Sequence, residues 1–195
     1  MTRPAPAIIV LAAGASRRMR GAEKLLEEID GTPLVLRAVR AACATVNEVI
    51  VVLPAADRAR QAWLTDCPAR LVHVEQRAMS ASIAAGIAAC QSDAALVHLA
   101  DMPEIDASHL GTMVEAWQTR DCRVLRATTA QGVPGQPVIF DRTLFEDLKA
   151  LQGDVGARDV IAAHGVETIA LPGEAAQIDL DTPEAWEAWR AARRV

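Results

Sequence analysis

Apolar residues along the 195-residue chain fall alternately into short unbroken runs and stretches of helical spacing. Ala7-Ile8-Ile9-Val10-Leu11 is a continuous apolar run, as expected of a parallel strand covered on both faces. Runs at Glu48–Leu53, Arg70–Val74, Ala94–Leu99 and Arg123–Thr128 predict further strands, and Val138–Phe140 and Glu167–Leu171 predict two short late ones. Helical patterns separate them. Thr32-Pro33 is read as an N-cap followed by Pro at the first helical position, opening a helix with Leu36, Val39 and Cys43 on one face. Asp57–Leu64 is a polar helical segment, and Ser80–Cys90 sets Ile83, Ile87 and Cys90 at helical spacing. Ser108 is read as the cap of a helix carrying Leu110, Met113, Val114 and Trp117. Ala157, Val160, Ile161 and His164 repeat that spacing, with Gly165 as the stop. Thr182-Pro183 caps a last helix whose end carries Arg190, Arg193 and Arg194, favourable at the negative end of the helix dipole.

Regular alternation of strand and helix predicts an α/β fold with a mainly parallel sheet. With no repeat and no low-complexity linker, residues 1–195 read as one domain. Thr129–Asp154 breaks the alternation with Gly132, Pro134, Gly135, Pro137 and Gly153, and reads as a functional insertion.

Composition narrows the function. Lys+Arg number 20 against 25 Asp+Glu, a formal charge of −5, and the pI is about 5.4. That excludes a basic face coating a nucleic-acid duplex. With no Tyr and only two Phe and four Trp, base stacking on a single strand is equally poorly served. The uncharged stretch from Pro4 to Ser16 is too short to span a bilayer. Arg3 before an apolar run has a superficial likeness to a signal peptide, but Arg17, Arg18 and Arg20 follow at once. Cys43, Cys67, Cys90 and Cys122 are widely spaced, without paired Cys/His spacing for zinc, and read as half-buried reduced thiols of a cytoplasmic protein.

In open α/β sheets ligands bind beyond the carboxyl ends of the strands. After the first strand comes Leu11-Ala12-Ala13-Gly14-Ala15-Ser16-Arg17-Arg18-Met19-Arg20-Gly21-Ala22-Glu23-Lys24. Small residues let backbone N–H groups approach phosphate oxygens, and Arg17, Arg18 and Lys24 can neutralise their charge. The segment is neither a Walker A loop nor a GxGxxG dinucleotide loop. After the Ala94–Leu99 strand, Asp101 stands before Met102-Pro103, well placed for a magnesium ion, which takes one or two carboxylates plus substrate phosphates. Asp179 and Asp181 offer two more carboxylates, although Asp181 or Thr182 can equally begin the helix. Ser80 and Ser82 can cap a helix or bond a base or ribose. Gly135-Gln136-Pro137 and Gly153-Asp154-Val155-Gly156-Ala157-Arg158 are turn-rich polar segments, read from residue chemistry alone as turns and caps as readily as binding segments. His73, His98, His109 and His164 are dispersed, which favours buried or capping roles over catalysis.

Taken in order, LAAGASRRM with Lys24, MSASIAAGI, LADMP, GVPGQPVIF, GDVGAR and DLDTPEAW resemble the motifs of the MobA-like nucleotidyltransferases, closest to the molybdenum-cofactor cytidylyltransferase branch. The resemblance runs almost end to end. It implies a Rossmann-like three-layer α/β/α sandwich of the nucleotide-diphospho-sugar transferase type. It implies that Leu11, Ala12, Ala13, Gly14, Ala15, Ser16, Arg17 and Ser82 bind nucleotide, and that Lys24, Arg18 and Asp101 are catalytic. Asp101 with Asp179 or Asp181 would hold Mg2+. Gln136, Pro137, Gly153, Asp154 and Arg158 would face the acceptor. The implied reaction takes CTP, or another NTP, and a molybdopterin-type acceptor, with a molybdoenzyme as a maturation partner and neither nucleic acid nor membrane. The Ala12-Ala13-Gly14 form, where the guanylyl branch has Ala-Gly-Gly, favours CTP. Two positions depart from the pattern: Gln136 stands where the middle motif has His, and Arg20 displaces the glycine after Met19.

Rival readings are a transferase or pyrophosphorylase for another small phosphate, and a non-catalytic nucleotide-binding accessory protein. Lys24 and Asp101 speak against the second. A nicotinamide dehydrogenase lacks its glycine fingerprint.

Overall fold

The structure is a computed structural model that describes residues 2–16, 18–153 and 156–193. In chain order it contains β1 (Ala7–Leu11), β2 (Glu28–Ile29), β3 (Thr32–Pro33), α1 (Leu34–Thr45), β4 (Val49–Pro54), α2 (Arg58–Trp63), β5 (Arg70–Val74) and α3 (Met79–Ala89). There follow β6 (Ala94–Leu99), α4 (Ala107–Thr119), β7 (Val124–Thr128), β8 (Pro134–Asp141), α5 (Phe145–Lys149), α6 (Arg158–His164), β9 (Glu167–Ala170) and α7 (Pro183–Ala192). Seven strands form one sheet in the order β5-β4-β1-β6-β8-β7-β9, and all run parallel except β8. The α/β expectation therefore holds.

β1 is fully buried because both of its faces are covered. Ile8 and Val10 enter one apolar core with α1, α4 and α7, and Ile9 and Leu11 enter the other with α3 and α5, the alternation that a pleated strand imposes. Gly86 lets α3 approach the sheet closely, since a Cβ there would stand 2.4 Å from Ile9 Cγ2.

Three local readings need correction. Thr32-Pro33 does not begin a helix. Asp30 and Gly31, both at positive φ (52° and 73°), turn β2 back on β3, and α1 starts at Leu34 without a side-chain cap. An Asp-Gly pair favours such a hairpin turn. The cap of α4 is Asp106, whose side chain accepts from the backbone N–H of Ser108 and His109, and not Ser108. Thr129–Asp154 is not an insertion. Its β8 lies inside the sheet, antiparallel to β6 and β7, and Val138, Ile139, Phe140, Leu144 and Leu148 are buried core.

Candidate functional site

The chain leaves β1 toward β4 on one side and later returns to β6 on the other, so the carboxyl ends of β1 and β6 form a topological switch point. Leu11 and Leu99 are in register there, and Ala100 N–H donates to Leu11 O at 3.1 Å. The loop after β1 and the Asp101 turn after β6 thereby meet.

The loop is pinned from below. Met19 and Leu25 are buried, and Ser16 and Arg20 take positive φ of 48° and 51°. Lys24 N–H donates to Ser16 Oγ at 3.3 Å. The Lys24 side chain, only 10% exposed, donates to Asp101 and to Asp181 Oδ1, the latter at 2.5 Å. Arg18 pairs with the other oxygen of Asp181, and Arg20 pairs with Glu184 at 2.5 Å. Burial alone would lower the Lys24 pKa, but the Asp101 and Asp181 carboxylates overcome it and the pKa is raised, so the ammonium stays charged. The last segment reaches the site because Leu180 N–H donates to Asp101 O at 3.2 Å. Thr182 caps α7 as its position before Pro183 predicts.

A cavity of about 380 Å³ is lined by Leu11, Ala13, Gly14, Arg18, Lys24, Ser82, Asp101, Asp179 and Asp181, together with Arg77 and Met79. A shallower space of about 240 Å³ adds Ala15 and Ser16. Ala12 faces away, with its carbonyl held by Arg60. Arg17 and Asp154 lie outside the described residues. Ser82 Oγ donates to Ala78 O at 3.1 Å, and Ser80 Oγ to Gly153 O at 2.6 Å. Ser80 thus ties Gly153 to the start of α3.

The carboxylate group fits a divalent cation. Asp101 Oδ1 is buried and has no hydrogen-bond partner. The Asp179 carboxyl pKa is raised, first by desolvation and then by Asp181 and Asp101, so negative charge is crowded there. Among the described residues no three metal-ligating side chains converge as a ready-made cage.

A second cavity of about 430 Å³ adjoins through Leu11, Met79 and Leu99. Its floor is apolar (Val97, Val138, Phe140, Ile83), and its wall carries Gln136, Arg126, Arg158 and Asp159. Gln136 Oε1 is buried without a partner. Pro137 is buried but does not line this cavity, and Gly153 lines neither cavity. Gly135 has no room for a side chain, since a Cβ would stand 2.0 Å from Ala176 O. Ala176 O also accepts from Gln136 N–H at 2.8 Å, so this wall is stitched to the segment that carries Asp179 and Asp181.

Sequence reasoning missed Arg60, Arg77 and Arg126. Arg77 stands directly before α3, where a cation beside the cleft was legible. Arg60 sits in a polar helix and Arg126 inside a strand, and neither position signals a site.

A cation-lined small-residue loop facing a carboxylate cluster across the switch point of an α/β/α sandwich defines a phosphate-handling transferase of nucleotides. The chain belongs to the MobA-like NTP transferase domain family, whose profile matches residues 8–168, and it is a nucleotidyltransferase of that type. It is 31% identical to a molybdenum cofactor guanylyltransferase of Pseudomonas aeruginosa (strain LESB58), over 93% of this chain and 92% of the relative. It is 26% identical to the purine catabolism protein PucB of Bacillus subtilis (strain 168), over 94% and 95%. Rv0371c of Mycobacterium tuberculosis H37Rv has the same fold, with a TM-score of 0.79 at 24% identity over 94% of this chain and 97% of that one, and its structure is also known as a manganese complex.

Proposed function

We propose that this protein acts in the cytoplasm as one catalytic domain, transferring CMP from CTP to a phosphate of a molybdopterin-type cofactor and releasing pyrophosphate. The observation that carries the reading is Lys24, buried and charged between Asp101 and Asp181 at the mouth of the loop. The acceptor phosphate is already anionic, so no strong general base is needed. The work is positioning and charge neutralisation. Backbone N–H groups of the Ala13–Ser16 segment receive phosphate oxygens, while Lys24 and Arg18 offset charge on the α-phosphate and the leaving group. Ser82 lies at the base or ribose end. A divalent cation, magnesium by preference, would be held by Asp101 with Asp179 or Asp181, and would supply charge neutralisation between phosphates. The second cavity receives the acceptor, with Gln136 and Arg158 on its wall; Pro137, Gly153 and Asp154 are assigned to the acceptor by the family motifs alone. A molybdoenzyme is the downstream partner.

Ala13, which lines the first cavity, supports CTP because the guanylyl branch has glycine at that place. A second reading, GMP transfer from GTP, is favoured by the relative named a guanylyltransferase at 31% identity. Pyrophosphate release with CTP, GTP and ATP, each with magnesium and with and without molybdopterin acceptor, tests both. Acceptor-dependent release strongest with CTP is the expected result. Preference for GTP selects the second reading, and no release with any nucleotide rejects both.

A further inference from the structure

Arg60 is a fully buried guanidinium that the transfer reaction does not use. It belongs to α2, beyond β4, yet it reaches under the loop that follows β1. Its Nη1 donates to Ala12 O at 2.5 Å, and its Nη2 donates to Gly14 O at 3.0 Å and to the Glu23 carboxylate. Its Nε lies 3.0 Å from Asp57 Oδ2 without the alignment of a hydrogen bond. Two carboxylates therefore balance a cation that solvent cannot reach. A buried charge persists only when it is paired and bonded in this way.

The contacts fall at both ends of one loop. Ala12 and Gly14 open it, and Glu23 immediately precedes Lys24. In a planar trans peptide the C=O of one residue and the N–H of the next point in opposite directions. With the Ala12 and Gly14 carbonyls turned toward Arg60, the N–H groups of Ala13 and Ala15 point away from it. Among the described residues neither N–H has a hydrogen-bond partner. Ala13 and Ala15 belong to the cavity walls that also carry Lys24.

We propose that Arg60 is the positioning residue of the phosphate loop: it turns two carbonyls inward so that two amides face the polyphosphate, and through Glu23 it holds Lys24 at the loop's other end. It touches no nucleotide atom. The proposal rests on the loop's reading as a phosphate site, not on the identity of base or acceptor.

The test is calorimetry on the full chain with magnesium tripolyphosphate, CTP and cytidine. Arg60→Met is expected to weaken tripolyphosphate and CTP by on the order of 10- to 100-fold while leaving cytidine unchanged, because only the amides aimed at phosphate are disturbed. Arg60→Lys is expected to fall between, since an ammonium lacks the planar fork that reaches two carbonyls at once. Glu23→Gln alters a carboxylate that is 40% exposed and leaves Asp57 to balance Arg60; with its fold checked by circular dichroism, it is expected to weaken tripolyphosphate by about threefold or more. A folded Arg60→Met with unaltered tripolyphosphate affinity overturns the proposal, as does an equal loss for cytidine and CTP. If Arg60→Met does not fold, Glu23→Gln decides by the same criteria. Failure of the unaltered protein to bind tripolyphosphate overturns the loop's reading and the role of Arg60 together. Arg60-dependent tripolyphosphate binding in a protein inactive with every nucleotide upholds Arg60 and rejects only the transfer reaction.

Discussion

The two halves of the sheet handle charge in opposite ways. In the all-parallel half, β5-β4-β1-β6, the charged groups at the carboxyl edge neutralise one another: Lys24 with Asp101 and Asp181, and Arg18 with Asp181. In the half built on the reversed β8, Arg126 and Arg158 stand with the single carboxylate Asp159 on one cavity wall, and among the described residues neither arginine makes an ion pair. The Arg126 pKa is lowered, first by burial and then by the nearby Arg158. One half holds its charges in place before a ligand arrives. The other leaves positive charge that a ligand's own anion would offset. The first arrangement suits a polyphosphate that brings a counter-cation, and the second suits an anionic ligand that arrives without one.

The largest expected effect belongs to the preformed half. Lys24→Met or Asp101→Asn should cut acceptor-dependent pyrophosphate release by on the order of 10³-fold, with the fold retained by circular dichroism. Each change also leaves its partner less well compensated in a partly buried site, so some loss of thermal stability is expected. Near-normal turnover in either variant would erase the chemical distinction between the halves.

His98 carries the second effect. It lies in β6, fully buried, and neither ring nitrogen has a partner. Burial lowers its pKa from 6.5 to about 4. Above pH 6.5 both folded and unfolded chains hold it neutral, so it adds no pH dependence. Between 6.5 and 4 the unfolded chain binds the proton and the folded chain does not, so stability falls as pH falls. The loss levels off near pH 4, at on the order of 3 kcal/mol in total. Urea midpoints measured across that range should decline less steeply in His98→Leu. Parallel curves for the two proteins would place the acid sensitivity elsewhere.

The same division governs what could be read from the sequence. β1 and β6 sit where their apolar runs predict, because strands buried on both faces must be continuously apolar. Lys24 and Asp101 follow from them, since the ends of such strands are where ligands bind. The Val138–Phe140 run marks the second half of β8, but its first half was hidden because Pro134, Gly135, Gln136 and Pro137 open it with little apolar signal. Its place between β6 and β7 is decided by long-range pairing, which no local pattern states. Arg60 was hidden for a related reason: the groups its guanidinium hydrogen-bonds lie 37 to 48 residues away in the chain.

The smallest effect tests the reversed half. Arg126 donates its Nε to Gly135 O at 2.8 Å, so its guanidinium is aimed by the close approach of β7 and β8 and is not free to follow solvent. If the second cavity receives an anionic acceptor, Arg126→Gln should raise the acceptor KM by about tenfold, roughly 1.4 kcal/mol, while the Kd for nucleotide stays unchanged. Gln retains a donor for Gly135 O, so the loss reports charge more than wall geometry. Salt gives an independent check. The acceptor KM of the unaltered protein should rise with ionic strength more steeply than that of Arg126→Gln, because one cation fewer is there to be screened. An equal salt dependence, or a loss that falls on the nucleotide Kd instead, would mean that the two halves share one charged site and that the contrast between them is only one of packing.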